Sequence, residues 1–561
     1  MSYESAENIL AYHQRTRHRP EAYAKGPESI DWDAQPDPFR TYHLDNARGY
    51  AAAQIPLSLT VFEGERRTLQ WQEIWQQTHP GGNNPERADG QVIADKDSLA
   101  VLLQLSLALS AWKQFGNAKW SLRINPSSGN LHPTECYVVA SNIAGLADGI
   151  YHYRADTHAL EQRCRFIEKS VDHKPLLWLG FSSVHWREAW KYGERAYRYC
   201  QLDIGHALAA VSYAAQASGF SGAQIVPVAV ADEQLDALLG IQRDEDFIRD
   251  DGVSAEREYG DCLISLTGVQ QRLNSMLFQA DHGEWFGRAN VLDARHFYQW
   301  PVIEDASRSS RRVHNIQPAN GFHWAEPPLA AAGISATEQA ATLIRQRRSA
   351  QSFMPDGEMA LNDFYTLLDH TLARQHLPPW NALEQASDVH LFLFVHNVSG
   401  LDSGLYVLLR DPAAKELLAP LLRDQFVWQK AENAPAHLPF YQLLKAGTRR
   451  TAANLSCQQA IAGDSAFSLA MLADMQGVES QPWLYRQRLW QAGAIGQVLY
   501  LEAEAAGMRG TGIGCYYDDF VHDLLGFDQQ QSRWQVLYHF TVGKPVIDHR
   551  ITSWSPYQER G

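Results

Sequence analysis

Apolar positions recur along the chain in two registers. From Tyr197 to Ser218 the stripe Ile204, Leu208, Val211 and Ala215 returns at helical spacing and Gly219 supplies a stop, so the pattern predicts a long helix that is half-buried or more. The run V-I-A-D-K-D-S-L-A-V-L-L-Q-L-S-L-A-L-S-A-W opens on the cap candidates Asp95 and Asp97 and is apolar nearly all round, which predicts a central core helix. C-Y-V-V-A, H-L-F-L-F-V and V-L-Y-H-F-T-V have the short, β-branched and aromatic character of strands. Helices dominate over a modest sheet, so the expected fold class is α+β.

The pattern occurs twice. Residues 142–151 are N-I-A-G-L-A-D-G-I-Y and residues 397–406 are N-V-S-G-L-D-S-G-L-Y. Tyr197-Arg198, Gly205, Gly219 and Gly222 return at the same spacing as Tyr485-Arg486, Gly493, Gly507 and Gly510, and D-x5-L-L-G from Asp232 to Gly240 returns from Asp518 to Gly526. Order is kept and the offset grows by about 33 residues, which predicts a duplicated domain with an insertion in its second copy. The copies are expected at 85–275 and 335–550. They follow an irregular segment, 1–84, and are joined by a linker, 276–334, that carries Pro301, Pro318, Pro327 and Pro328.

Composition narrows the function classes. The 561 residues are 45% hydrophobic with 17 Trp, the profile of a chain with a large core rather than a disordered one. A net charge of −15 without a long basic stripe argues against nucleic acid or an anionic membrane as partner, so any anionic ligand needs a local pocket. Cys136, Cys164, Cys200, Cys262, Cys457 and Cys515 form no C-x-x-C pair, which suggests neither a disulfide framework nor a zinc ribbon and fits a reducing cytoplasm. The polar, acidic N-terminus and the lack of long apolar runs predict neither a signal peptide nor a membrane span.

Two segments carry candidate chemistry. In W-S-L-R-I-N-P-S-S-G-N-L-H-P-T-E, the turn Pro126–Asn130 offers two hydroxyls, a glycine backbone and an amide, suited to a heteroaromatic edge or to ribityl hydroxyls. The same pattern also serves an ordinary capped loop. Arg345, Arg347 and Arg348 cluster beside Ser349, a set that suits bidentate phosphate capture and equally a solvated helix end. His132 and His206 are expected to be structural imidazoles, and no His pair has metal-ligand spacing.

R-x-S near a domain start, P-S-S-G-N, the helix segment A-G-A-I-G-Q and a G-I-G-C turn before D-D together resemble the FMN-dependent nitroreductase superfamily. Within it, the chain is most similar to the SagB/ThcOx-type dehydrogenases, the branch containing azoline oxidases. Y-H-Q-R-T-R-H and I-D-W-D-A-Q-P-D-P-F-R look like the N-terminal header of its tandem members. The resemblance implies tandem nitroreductase-like domains forming, within one chain, the pseudo-dimer that relatives build from two, with FMN between the halves.

By the same resemblance, Arg347 and Ser349 would contact the ribityl phosphate, with Gln351 where many members have a second basic residue. Ser127, Ser128 and Asn130 would lie against the flavin from the other half. Gly514 and Cys515 would face its N5/O4 edge, Lys544 would approach the phosphate, and Lys191-Tyr192 would assist proton removal. The implied activity is that of an FMN-dependent oxidoreductase acting on a small molecule or peptide, with any azoline-forming partner a separate chain. An NAD(P)H-dependent nitroreductase or quinone-type reductase is the alternative enzyme, and a flavin-free scaffold or peptide-binding subunit the alternative outside enzymes. Only one composite flavin site is expected, because the first copy lacks R-x-S and has G-F-S-G-A-Q where the second has G-M-R-G-T-G-I-G-C.

Overall fold

Two helices buried along nearly their whole length, Ala196–Ser218 and Leu484–Ala505, form the centre of the molecule and cross each other, with their charged and amide side chains held by partners in the interior. The crossing falls on the repeated glycines: a Cβ on Gly205 would lie 2.2 Å from the Trp490 carbonyl oxygen, and one on Gly493 would lie 2.1 Å from that of Leu202. Only residues without a side chain allow that approach. The first central helix stops as expected at Gly219, which takes a left-handed conformation at φ 89°. In this computed structural model the residues described are 2–61, 64, 68–75, 94–168, 173–220, 225–248, 253–293, 295–315, 323–325, 338–385, 387–528 and 533–558.

Each half builds its own antiparallel sheet beside its central helix. In the second half the strand order is Gln429–Lys430, Phe440–Lys445, Gly404–Leu408, Val389–Val395, Phe467–Asp474, Trp534–Gly543 and Arg509–Ile513. In the first half the corresponding order is Ala159–Arg165, Gly149–Arg154, Thr134–Ser141, Leu176–Ser183, Tyr259–Ser265 and Val226–Pro227, with Gln54–Pro56 added at the edge. The three segments expected to be strands all lie in these sheets. The ten-residue repeat makes the same turn twice: the Tyr151 hydroxyl donates to the Ala147 carbonyl at 2.6 Å, and that of Tyr406 to Asp402 at 2.8 Å.

The halves clasp one another reciprocally, as the faces of an isologous dimer do. Arg198 of the first central helix pairs with Asp518 of the second half at 3.2 Å, while Arg486 of the second pairs with Asp232 of the first at 2.7 Å. Both acids open the repeated D-x5-L-L-G segment, which forms the helices Asp232–Leu239 and Asp518–Leu525, each closed by a left-handed glycine. The tandem α+β pseudo-dimer is therefore the fold of this chain.

Three local expectations change. The core helix covers only Lys96–Gln104, with Asp95 accepting from the Ser98 amide at 2.7 Å, and Leu109–Phe115 is a strand instead. That strand turns through Gly116-Asn117 into Ala118–Arg123, because its alternating pattern and two-residue turn outcompete helix once a partner strand exists. In the segment expected to be irregular, Ser2–Arg15 is a helix that buries Ile9 and Tyr12. In the expected linker, Pro301 opens the helix Pro301–Ser309, since its missing N–H costs nothing at a first helical position. Gly222, Pro318, Pro327 and Pro328 lie outside the described residues. Among the described residues no helix is long and apolar enough to cross a membrane.

Candidate active site at the domain interface

A cavity of about 810 Å³ opens between the halves. The first half contributes the Asn125–Asn130 turn, Tyr192, and Tyr199, Asp203 and His206 from its central helix. The second contributes Arg347 to Gln351, Tyr500, and the strand and turn from Thr511 to Cys515. His18 reaches in from the N-terminal segment. Ser127, Ser128, Asn130, Tyr192, Arg347, Ser349, Gly514 and Cys515, distant in sequence, are thus brought to one wall or another of a single cavity.

At one end the wall is basic. Arg347 is buried; its Nη2 donates to the Ile124 carbonyl at 3.2 Å, while Nε and Nη1 have no hydrogen-bond partner. Burial lowers its pKa and, with Arg347 adjacent, brings that of Arg348 down to about 10. Lys113 and Arg509 line the same cavity. Buried donors without acceptors are costly, and an anion would satisfy them. The Ser349 hydroxyl pairs with that of Tyr500 at 2.9 Å, and the Tyr500 hydroxyl also accepts from the Gly512 amide at 3.0 Å.

At the other end the P-S-S-G-N turn is locked onto the first central helix. Gly129, Asn130 and His132 all have positive φ. The Ser128 hydroxyl donates to Asp203 at 3.0 Å, its amide donates to the same carboxylate, and the Asn130 amide donates to the Ser121 carbonyl at 2.9 Å. Burial raises the Asp203 carboxyl to about 7 against the pull of the Ser127 and Ser128 hydrogen bonds. A Cβ on Gly129 would lie 2.5 Å from the Tyr192 hydroxyl, so the ring rests against the turn. Burial, reinforced by Glu188, raises the Tyr192 phenol well above its usual range.

Lys191 and Lys544 stand apart from these walls. Consecutive helical residues point about 100° apart, and the Lys191 ammonium sits instead over the Trp32 ring at 5.5 Å and the Tyr192 ring at 5.3 Å. Lys544 is exposed just past its strand, with its ammonium 3.5 Å from the Gly507 carbonyl. His206 is buried between Tyr538 and Gln497 and burial lowers it to about 3, so it is the neutral structural imidazole expected. His132 is also driven neutral by burial, against the pull of the Ser121 backbone. Among the described residues no cluster of three or more His, Cys, Asp or Glu side chains is arranged to hold a metal ion.

Asp203, Tyr199, Tyr500 and Arg509 were not singled out from sequence. A signal existed for part of the set: Tyr199, Asp203 and His206 form a polar stripe at i, i+4 and i+7 on an otherwise apolar helix.

The pseudo-symmetric position is closed. Its void is only about 20 Å³ and is lined by Trp483, Trp490 and the Arg312–Glu384 ion pair, 2.7 Å long. Gln491 stands where the first helix has Asp203, and it bonds Asp388 rather than a serine turn.

Residues 344–544 match the nitroreductase family. That segment of the second half resembles a nitroreductase domain. The crystal structure of a nitroreductase-type protein from Anabaena variabilis superposes on both halves, with a TM-score of 0.64 at 21% identity, covering 96% of this chain and 99% of that one. This likeness establishes the fold of the whole. The trifolitoxin-processing protein TfxB of Rhizobium leguminosarum bv. trifolii is 33% identical over 130 residues, 20% of this chain and 34% of that protein. A nitroreductase-type protein of Methanocaldococcus jannaschii is 26% identical over 95 residues, 14% of this chain and 46% of its own length. The chain thus spans between about a third and a half of the curated relatives it matches. The matched segment carries Arg347, Ser349, Gly514 and Cys515, and the other half supplies Ser127, Ser128 and Asn130 to the same cavity.

Proposed function

We propose that the chain is an FMN-dependent oxidoreductase of SagB/ThcOx type with one composite flavin site. The supporting observation is Arg347, whose buried Nε and Nη1 lack acceptors in a cavity that both halves build. Those donors, with Arg348 and Arg509, fit a phosphate; the Ser127–Asn130 turn and the Gly514–Cys515 turn fit the polar edges of a flavin ring. FMN, when bound, supplies a hydride acceptor at N5.

The chain's own residues divide the proton work. A phenol held protonated by burial cannot serve as a base near neutral pH, so Tyr192 donates a hydrogen bond. Asp203, poised at about 7, accepts the proton leaving the substrate, and Ser128 orients it. The base therefore moves from the Lys191-Tyr192 pair to a carboxylate on the first central helix. Lys191 acts at most through Tyr192, whose ring it covers. The substrate class this favours is a peptide azoline made by a separate enzyme, in keeping with the similarity to a trifolitoxin-processing protein.

Anaerobic mixing of purified protein with a thiazoline-containing peptide tests the reading. Bleaching of the flavin absorbance with loss of two hydrogens from the peptide is expected. Bleaching by NAD(P)H alone, with the peptide unchanged, would favour the nitroreductase alternative, and colourless protein that cannot be reconstituted would favour the scaffold.

A further inference from the structure

Cys515 differs from the other cysteines in its surroundings. Cys136, Cys164 and Cys200 are buried, and burial raises each of them and Cys262. Cys515 is only partly buried and lines the interdomain cavity. Its turn is bonded to the segment carrying Cys457: the Tyr517 amide donates to the Leu455 carbonyl at 2.9 Å, and Gln459 Nε2 donates to the Cys515 carbonyl at 3.2 Å. Between those two links the backbone of Cys457 and Gln458 is left-handed, at φ 52° and 61°, and the two thiols share a hydrogen bond.

Hydrogen-bond donors converge on the same turn. His18, fixed by accepting the Ala24 amide at 3.0 Å, faces the thiol, and Arg195 donates to the neighbouring Gly514 carbonyl at 3.2 Å. The Cys457 hydrogen bond, His18 and Arg195 hold Cys515 well below the usual thiol range, whereas Cys457 is raised. A thiolate that is reachable from a cavity and sits beside a protonated thiol has the arrangement of a nucleophile with its resolving partner.

We propose that Cys515 is a peroxide-reactive thiolate and that Cys457 resolves it into an intrachain disulfide. In the first step the Cys515 sulfur attacks one oxygen of a hydroperoxide; an S–O bond forms, the O–O bond breaks, and hydroxide or alkoxide leaves. The sulfur is oxidised to a sulfenic acid and the peroxide reduced. In the second, the Cys457 sulfur attacks that sulfenic sulfur; an S–S bond forms, the S–O bond breaks, and water leaves with the Cys457 proton. A dithiol reductant restores both thiols. Neither step uses a flavin, although the Cys515 turn faces the proposed flavin site, so the chemistry does not depend on the proposed oxidoreductase activity while access to the sulfur is read in the same cavity.

Mass-spectrometric mapping of the full-length protein as purified tests it. Substoichiometric iodoacetamide should label Cys515 at least about tenfold ahead of any other cysteine, because reactivity follows thiolate character and access. Hydrogen peroxide should then give a Cys457–Cys515 cross-linked peptide that dithiothreitol removes. In Cys457→Ser the same treatment should leave a dimedone-reactive sulfenic acid on Cys515. Even labelling across the cysteines, or peroxide-treated wild type without that cross-link, would overturn the proposal, and the wild-type result decides it should the variant misfold.

Discussion

At the residue scale, the site is a set of side chains whose environments oppose their ordinary chemistry: an arginine with two buried nitrogens lacking acceptors, a carboxylate poised near neutrality and a phenol held protonated. Hydrogen bonds to a charged partner contribute about 1.5–3 kcal/mol, so Arg347→Ala should weaken flavin retention by roughly ten- to a hundred-fold, measured as FMN released on denaturation. Asn130→Ala should weaken the same flavin from the opposite half, and unchanged flavin content in both variants would remove the phosphate-and-turn arrangement. Asp203 carries a signed dependence on pH. Its carboxyl keeps a proton in the native state up to about 7, whereas the unfolded chain loses it above 3.8, so native stability falls as pH rises through that window. Asp203→Asn should therefore gain in melting temperature relative to wild type between pH 5 and pH 8, and a difference that ignores pH would show that the carboxyl is not raised. Tyr192→Phe, which removes that hydrogen-bond donor, should slow substrate oxidation by roughly ten-fold or more, with flavin content unchanged; wild-type turnover would return Tyr192 to a packing role.

At the scale of elements, the central helices and their glycines were legible because they combine an apolar stripe with a repeat. Gly205 and Gly493 recur with Tyr-Arg at fixed spacing, and the structure explains why: each meets backbone of the opposing helix. Overpacking typically costs about 1–3 kcal/mol, and here the obstruction is main chain rather than a flexible side chain. Gly205→Ala or Gly493→Ala should accordingly lower the thermal midpoint, read by circular dichroism, whereas Gly26→Ala, where a Cβ would meet nothing within 4 Å, should not. The Leu109–Arg123 hairpin was hidden inside an apolar run, since periodicity alone cannot separate buried helix from buried strand and the Gly116-Asn117 turn was the only punctuation. Motif position picked out Ser127, Ser128, Asn130, Arg347 and Ser349, which the structure brings to one cavity. It could not show that Lys191 leans on Trp32, because the side-chain direction depends on a neighbour far away in sequence.

At the scale of the whole molecule, duplication has separated two roles that identical subunits must share. One interdomain position is an 810 Å³ cavity, and its pseudo-symmetric counterpart is a 20 Å³ void stopped by Trp483, Trp490 and an ion pair. Interdomain pairs such as Arg198–Asp518 and Arg486–Asp232 survive on both sides, so the architecture remained symmetric while the sites diverged. Loss of R-x-S and of the glycine-rich turn from the first half was visible in the sequence; the tryptophans that close the second position were not, because they come from the other half's central helix and its approach. Because the halves satisfy each other, a monomer by light scattering is also expected. The most direct measurement is the flavin released per polypeptide, from acid-denatured protein quantified against total amino-acid content after reconstitution with excess FMN and gel filtration. A ratio near one FMN per chain is expected, and a ratio near two, or no retained flavin, would contradict a single composite site.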